Sequence, residues 1–237
     1  MRQAVTLATA TGLALLGASD FAHAQEQVDR TGSRFTDDRF HGNNQGEERH
    51  TMEFLGRCVA SQKADEVEAH LRQESNETWA AVMKFPQGRT RCLFGRDLAS
   101  NYRTMRGAIA QGYYVMQNPQ GAPPSISGAI PGPPPVDEQV AIILSASDDS
   151  KSDVVVDEFA RCVVASDPMG ADRLVRTEPK TKEEGKALGA LSPKFGPCAF
   201  EGQELAFDRE GLRNAMAWAL ARQSLGVKPE LPQSDED

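Results

Sequence analysis

Basic charge is scarce in this chain: 26 lysines and arginines stand against 34 aspartates and glutamates, leaving a net charge of −8 over 237 residues. A protein that holds nucleic acid by neutralising phosphates needs the opposite balance, so no nucleic-acid partner is expected. Aromatics make up only 6% of the chain. After residue 18 no apolar run approaches the roughly 20 residues a membrane-spanning helix requires, so the chain is not expected to cross a membrane. The motifs that announce an enzyme are missing too. There is no G-x-S-x-G elbow, no phosphate-cradling glycine loop and no dinucleotide fingerprint, and no cofactor is expected. No close C-x₂-C pair occurs, which argues against a structural zinc site.

What is present begins with an address. Residues 1–24 carry Arg2, an apolar run from Ala4 to Ala18, and Ala22-His23-Ala24, the small-x-small pattern cut by a signal peptidase. We expect a signal peptide over 1–24, cleavage before Gln25, and a soluble product that is periplasmic or secreted. No cysteine follows the apolar run before Cys58, so a lipid-modified cysteine is not expected.

The four cysteines, at 58, 92, 162 and 198, form an even count in an exported chain, which is the signature of disulfides. An internal repeat selects the pairing. Arg57-Cys58-Val59 aligns with Arg161-Cys162-Val163, and each second cysteine follows about 35 residues later with a similar helix behind it. Phe94 aligns with Phe200, Arg106 with Arg213, and Ala108 and Ala110 with Ala215 and Ala217. Each copy can then close on itself, as Cys58–Cys92 and Cys162–Cys198. A module of 60–70 residues buries too little surface to be stable unaided, which gives a covalent closure an energetic purpose.

The expected fold is mainly α: two tandem small helical modules, each closed by one disulfide, with a candidate short β-hairpin, joined by a Pro/Gly-rich linker. In the second copy Val155, Phe159, Cys162 and Val163 mark the inner face of a first helix. Asp167-Pro168 opens a second helix with Ala171, Leu174 and Val175 inward, and the first copy places Val67, His70 and Leu71 there. Thr181-x-x-Glu184 is a capping box that starts a third helix ending before Ser192-Pro193, and Ser75 is its counterpart. The stretch from Cys198 to Phe207 is a candidate hairpin, and Asp208 caps a last helix facing inward through Leu212, Ala215, Met216, Ala219 and Leu220. The organisation expected is a leader without fixed structure over 25–50, module 1 over 51–116, the linker over 117–135, a connector over 136–153, module 2 over 154–225 and an acidic tail over 226–237. Seven prolines and three glycines fall within 117–135. Whether Val140 to Leu144 is strand or helix is left open by periodicity.

The arrangement resembles a group of uncharacterised exported proteins of alphaproteobacteria in which an R-C-V helix and a later cysteine precede an L-R-x-x-[LM]-A helix. Here those stretches are Arg161-Cys162-Val163, Cys198, and Leu212-Arg213 through Met216-Ala217. A weaker copy runs through Arg57-Cys58-Val59, Cys92, and Met105-Arg106 through Ile109-Ala110. The resemblance implies secretion and a helical module.

Three residues are the candidates for binding. Arg106 and Arg213 are equivalent in the two copies and serve either as structural partners of Asp97, Glu204 or a carbonyl, or as a pair of anion sites. Trp218 sits at the margin of its helix's apolar stripe, where it packs on the sister module or linker or anchors a partner. His41 and His50, beside Glu47 and Glu48, lie in a polar leader without fixed geometry, and His70 is a half-buried histidine in a leucine's place. No catalytic and no metal-binding residue is assigned. The functional expectation is an exported, non-catalytic protein that binds a protein, peptide or envelope component. The alternative is an enzyme with a carboxylate-based site between the modules.

Overall fold

The apolar stripe of Met52, Leu55 and Val59 recurs at three and four residues, and it folds as helix α1 (Gln45–Gln62) with all three side chains buried. A computed structural model describes residues 45–85, 92, 100–123, 126, 135–146, 151–200 and 208–227. The helix begins before the expected boundary at residue 51. Gln45, Glu47, Glu48 and Arg49 are good helix formers and carry it backward from its buried face. Residues 25–44 of the expected leader lie outside the described residues.

Helix α2 (Ala64–Arg72) buries Val67, His70 and Leu71. Helix α3 (Asn76–Met83) starts at Ser75, whose Oγ accepts the Thr78 amide at 3.2 Å. Helix α4 (Tyr102–Gln117) is capped by Asn101, which accepts the Thr104 amide at 2.8 Å. In the second half, α6 (Lys151–Ser166) buries Val155, Phe159, Cys162 and Val163. Helix α7 (Pro168–Arg176) has Asp167 as cap, accepting Gly170 N–H at 2.8 Å, with proline in the first position. Helix α8 (Lys182–Leu191) is capped by Thr181. Its Glu184 reaches past the cap to accept the Lys180 amide at 2.8 Å, so the reciprocal arm of the capping box lands one residue upstream. A 3₁₀ turn over Ser192–Lys194 and a short helix α9 (Phe195–Cys198) carry the chain to the fourth cysteine. Helix α10 (Arg209–Ser224) is capped by Asp208 through Gly211 N–H at 2.6 Å. It closes where Gly226, at φ +69°, lets the amides of Gly226 and Val227 return to the carbonyls of Gln223 and Arg222.

The fold is mainly helical, and no strand occurs among the described residues. Cys198 belongs to α9 rather than opening a hairpin, and residues 201–207 lie outside the described residues. Val136–Ser145 is a helix, α5, which answers the question its short apolar run left open. The front of the Pro/Gly-rich stretch is not free. Ile126 is fully buried and part of the core, pinning the chain soon after α4.

Both disulfides join the pairs expected from the repeat. Cys58 of α1 bonds Cys92 with Cα atoms 5.5 Å apart, and Cys162 of α6 bonds Cys198 at 5.6 Å.

The two halves share one core, with α4 as its central plank. Helix α1 packs along one side of α4 and α10 along another, while α10 also rests on α6 and α7. The α1–α4 contact is backbone against backbone: a Cβ on Gly56 would collide with the Ala108 carbonyl, and one on Gly112 would stand 2.5 Å from the Gly56 carbonyl. Across the fold, Gly107 lies directly against Asn214 of α10. Helix α10 is consequently buried on every side, from Leu212 through Ala221. Its alanines at 215, 217, 219 and 221 leave the room that this double coverage needs.

Candidate functional site

The richest chemistry lies where α2, α3 and α4 of the first half meet α6 and α10 of the second. Helical spacing sets the pairs: Tyr102 and Arg106 are four apart on α4, and Trp218 and Arg222 are four apart on α10, so each pair shares a face. Arg106 is 3% exposed and lies between two carboxylates. It pairs with Glu74 of the α2–α3 connection and donates from Nη2 to Asp157 of α6 at 2.6 and 2.8 Å. Its guanidinium also lies 4.5 Å from the Trp218 ring centroid. Asp97 and Glu204, the partners considered from sequence, lie outside the described residues.

His70 is the second centre. Its Nε2 is 3.0 Å from the Tyr102 hydroxyl, and its Nδ1 is 2.8 Å from Thr78 Oγ1. Because Tyr102 donates to Glu74 at 2.8 Å, its oxygen is left to accept from His70 Nε2–H, and Nδ1 faces Thr78 Oγ1, whose hydroxyl also reaches the Gln73 and Ser75 carbonyls at 3.0 Å. Rings enclose the imidazole: Trp79 at 5.3 Å, Trp218 at 5.6 Å and Tyr102 at 6.2 Å between centroids. The indole of Trp218 is 3% exposed and is spent on this contact with the first half. It is therefore closed to use as an exposed anchor.

Electrostatics follow from burial and from Arg106. Burial alone would raise the Glu74 carboxyl, but the Arg106 charge and the Tyr102 hydroxyl hold it below the ordinary value. At Asp157 burial prevails and lifts the carboxyl above its ordinary value despite Arg106. Arg106 itself is held in the charged form: burial works against it, and Asp157 and Glu74 overcome that. Two carboxylates displaced in opposite directions are the raw material of acid–base catalysis. Here, however, both are clamped by one guanidinium, and the His70–Tyr102–Glu74 chain runs into the same ion pair. The arrangement is a latch between halves.

Burial also pushes the His70 imidazole below its ordinary value of 6.5, against the pull of Glu74. A folded state that holds fewer protons than the unfolded chain loses stability as pH falls. The contribution of neutral His70 is present above about pH 6.5 and disappears as pH drops through the folded value. Glu74 acts in the same sense at lower pH, whereas Asp157 has the opposite sign and favours the acid side. We expect the urea midpoint to fall between pH 7 and pH 5, and His70→Leu to flatten that slope. An unchanged slope in the variant would assign the acid sensitivity elsewhere.

Arg213 stands in a different setting. At 3% exposure it donates to the Leu174 carbonyl at 3.0 Å and to the Thr177 carbonyl, with Glu184 Oε1 at 3.6 Å. The two arginines that sequence equates are thus not a matched pair of anion sites: one is neutralised by two carboxylates and the other closes the end of α7. Among the described residues no group of three or more His, Cys, Asp or Glu is arranged to hold a metal ion. His41 lies outside them. Sequence reasoning did not single out Glu74, Tyr102 or Asp157, because their meaning arises only when α6 and α10 close on α2 and α4. No protein-family model, no curated protein and no solved structure matches the chain.

Proposed function

We propose that the chain is an exported protein, built from two copies of one disulfide-closed helical module, that binds a protein or peptide of the cell envelope rather than catalysing a reaction. The observation that carries the binding reading is on α5. Val136, Val140 and Leu144 recur every fourth residue and are 53%, 50% and 71% exposed, while Gln139 and Ile142 turn toward the fold. Full burial of such a branched side chain is worth about 1.5–3 kcal/mol, and a partner covering these partly exposed ones would recover part of it. A stripe of this length on a ten-residue helix is far smaller than a standard stable interface and suits one amphipathic helix of a partner.

Export is supported by the leader over 1–24, by the two disulfides, and by the absence of a membrane-length apolar helix among the described residues. Duplication, and with it kinship to the exported alphaproteobacterial proteins, is supported by contacts that recur between aligned positions. Arg72 donates to the Leu225 carbonyl at 3.2 Å, and its aligned residue Arg176 donates to the Asn118 carbonyl, which aligns with Leu225. Glu68 pairs with Arg72 as Asp172 pairs with Arg176. Gly107 touches Asn214, the residue aligned with it, as two faces related by a twofold axis would do.

A photo-crosslinking residue placed at 144 in the exported protein tests the reading, with exposed position 186 as control. A discrete adduct from 144 alone, weakened by Val140→Asp, is the expected outcome. The same adducts from both positions, or none from 144, would remove α5 as a binding face.

A further inference from the structure

The two disulfides occupy aligned positions, yet their surroundings differ. Cys162 and Cys198 are both 0% exposed, whereas in the first pair Cys92 is 2% exposed and Cys58, on α1, is partly exposed. Access thus separates the four cysteines, and Cys58 is the one a dissolved reagent meets. One turn further along α1, Gln62 directs its amide at the bridge: Nε2 lies 3.2 Å from Cys58 Sγ and 3.4 Å from Cys92 Sγ. The position aligned with Gln62 in the second half is Ser166, whose Oγ stands 3.9 Å from Cys198 Sγ. The first bridge therefore combines an approachable cysteine with an N–H donor shared by both sulfurs. The second is buried at both ends, with a hydroxyl at the far edge of contact.

We infer that Cys58–Cys92 is a site of thiol–disulfide exchange with a small aliphatic thiol, the mixed disulfide forming on Cys58 and Cys92 acting as the leaving group. The incoming thiolate attacks Cys58 Sγ and forms a new S–S bond there; the Cys58–Cys92 bond breaks, and its electron pair leaves on Cys92 Sγ as a thiolate. One disulfide and one thiolate enter and one of each emerges, so the step needs no separate oxidant or reductant. Burial sets the direction of attack. To reach Cys92 instead, the thiol would have to enter the core to which that residue belongs. Gln62 is a positioning residue: its N–H, within reach of Cys92 Sγ, stabilises the negative charge that arrives on that sulfur as the bond breaks. The exchange releases the chain between α3 and α4 from α1, while Cys162–Cys198 keeps the second half closed. The α5 stripe takes no part, so this site stands or falls separately from the binding reading.

Incubation of the full chain with reduced glutathione at about pH 8, sampled over time by acid quenching and mapped by peptide mass spectrometry, tests the site. Glutathione is expected on Cys58, with Cys92 as a free thiol and Cys162–Cys198 still intact in the same molecules. Gln62→Leu removes the donor and is expected to slow the appearance of the adduct about fivefold. Gln62→Glu keeps the shape of the side chain but replaces the donor with a charge of the same sign as the leaving thiolate, and is expected to slow it further. A merely structural role for Gln62 has the opposite sign, because loosening α1 would speed the opening of the bridge. Glutathione on Cys92, concurrent opening of both bridges, no adduct, or a rate unchanged or raised in either Gln62 variant would overturn the proposal.

Discussion

Replacing Arg106 with methionine is expected to destabilise the fold by about 3 kcal/mol, although methionine fills much of the same volume. Removing one member of a buried ion pair leaves its partners uncompensated, and such losses run to roughly 3–5 kcal/mol. Two carboxylates are stranded here rather than one, and they would repel each other. They keep some contact with water, at 33% exposure for Glu74 and 24% for Asp157, which places the expected loss at the lower end. The cation–π contact with Trp218 is lost as well. Neutralising the stranded pair by Glu74→Gln and Asp157→Asn in the same chain should recover most of the loss, because the penalty is electrostatic. Chemical denaturation of the single, double and triple variants separates the cases. If the triple variant is no better than Arg106→Met, packing rather than charge is what Arg106 contributes.

Removal of the second disulfide, by Cys162→Ala with Cys198→Ala, has an expected cost of about 3–4 kcal/mol. Closing 36 residues restricts the unfolded chain by an amount of that order. Both sulfurs lie in the core at 0% exposure, so the variant also loses packing between α6 and α9. Against a typical total of 5–15 kcal/mol this is a large fraction. The first bridge closes a loop of similar length, but Cys58 is partly exposed, and its removal leaves less of a void. Thermal melts of the two double variants should therefore rank Cys162–Cys198 as the costlier loss. Graded reduction should open Cys58–Cys92 first, since access governs thiol attack. The reverse order in both experiments would mean that the first half, not the second, carries the stability of the shared core.

Much of the secondary structure was open to sequence reasoning for local reasons. The faces of Val155, Phe159, Cys162 and Val163, and of Ala171, Leu174 and Val175, follow from spacing alone, and Asp167, Thr181 and Asp208 announce helix starts through the hydrogen bond each side chain makes. Helix α1 extended into the expected leader because a polar run of good helix formers carries no apolar signal of its own. Trp218 shows the deeper gap. From one helix it falls at the edge of a stripe, and only the arrival of α4 and of His70 from α2 puts it inside.

The amino-acid order by itself determined the helical class, the caps at Ser75, Asp167, Thr181 and Asp208 and the pairing of the cysteines, because each depends on near neighbours or on the expected alignment of the two halves. The tertiary structure alone decided which residues meet across the halves. Arg106 with Asp157, His70 with Trp218, and Gln111 with the Val175 carbonyl at 2.7 Å join positions tens to more than a hundred residues apart. A helical wheel records which way a side chain points, but the partner it meets depends on how α4 and α10 cross. Gly107 permits that crossing by lying directly against Asn214, and Gly56 and Gly112 let the backbones of α1 and α4 touch, which is information that appears only once the helices are packed.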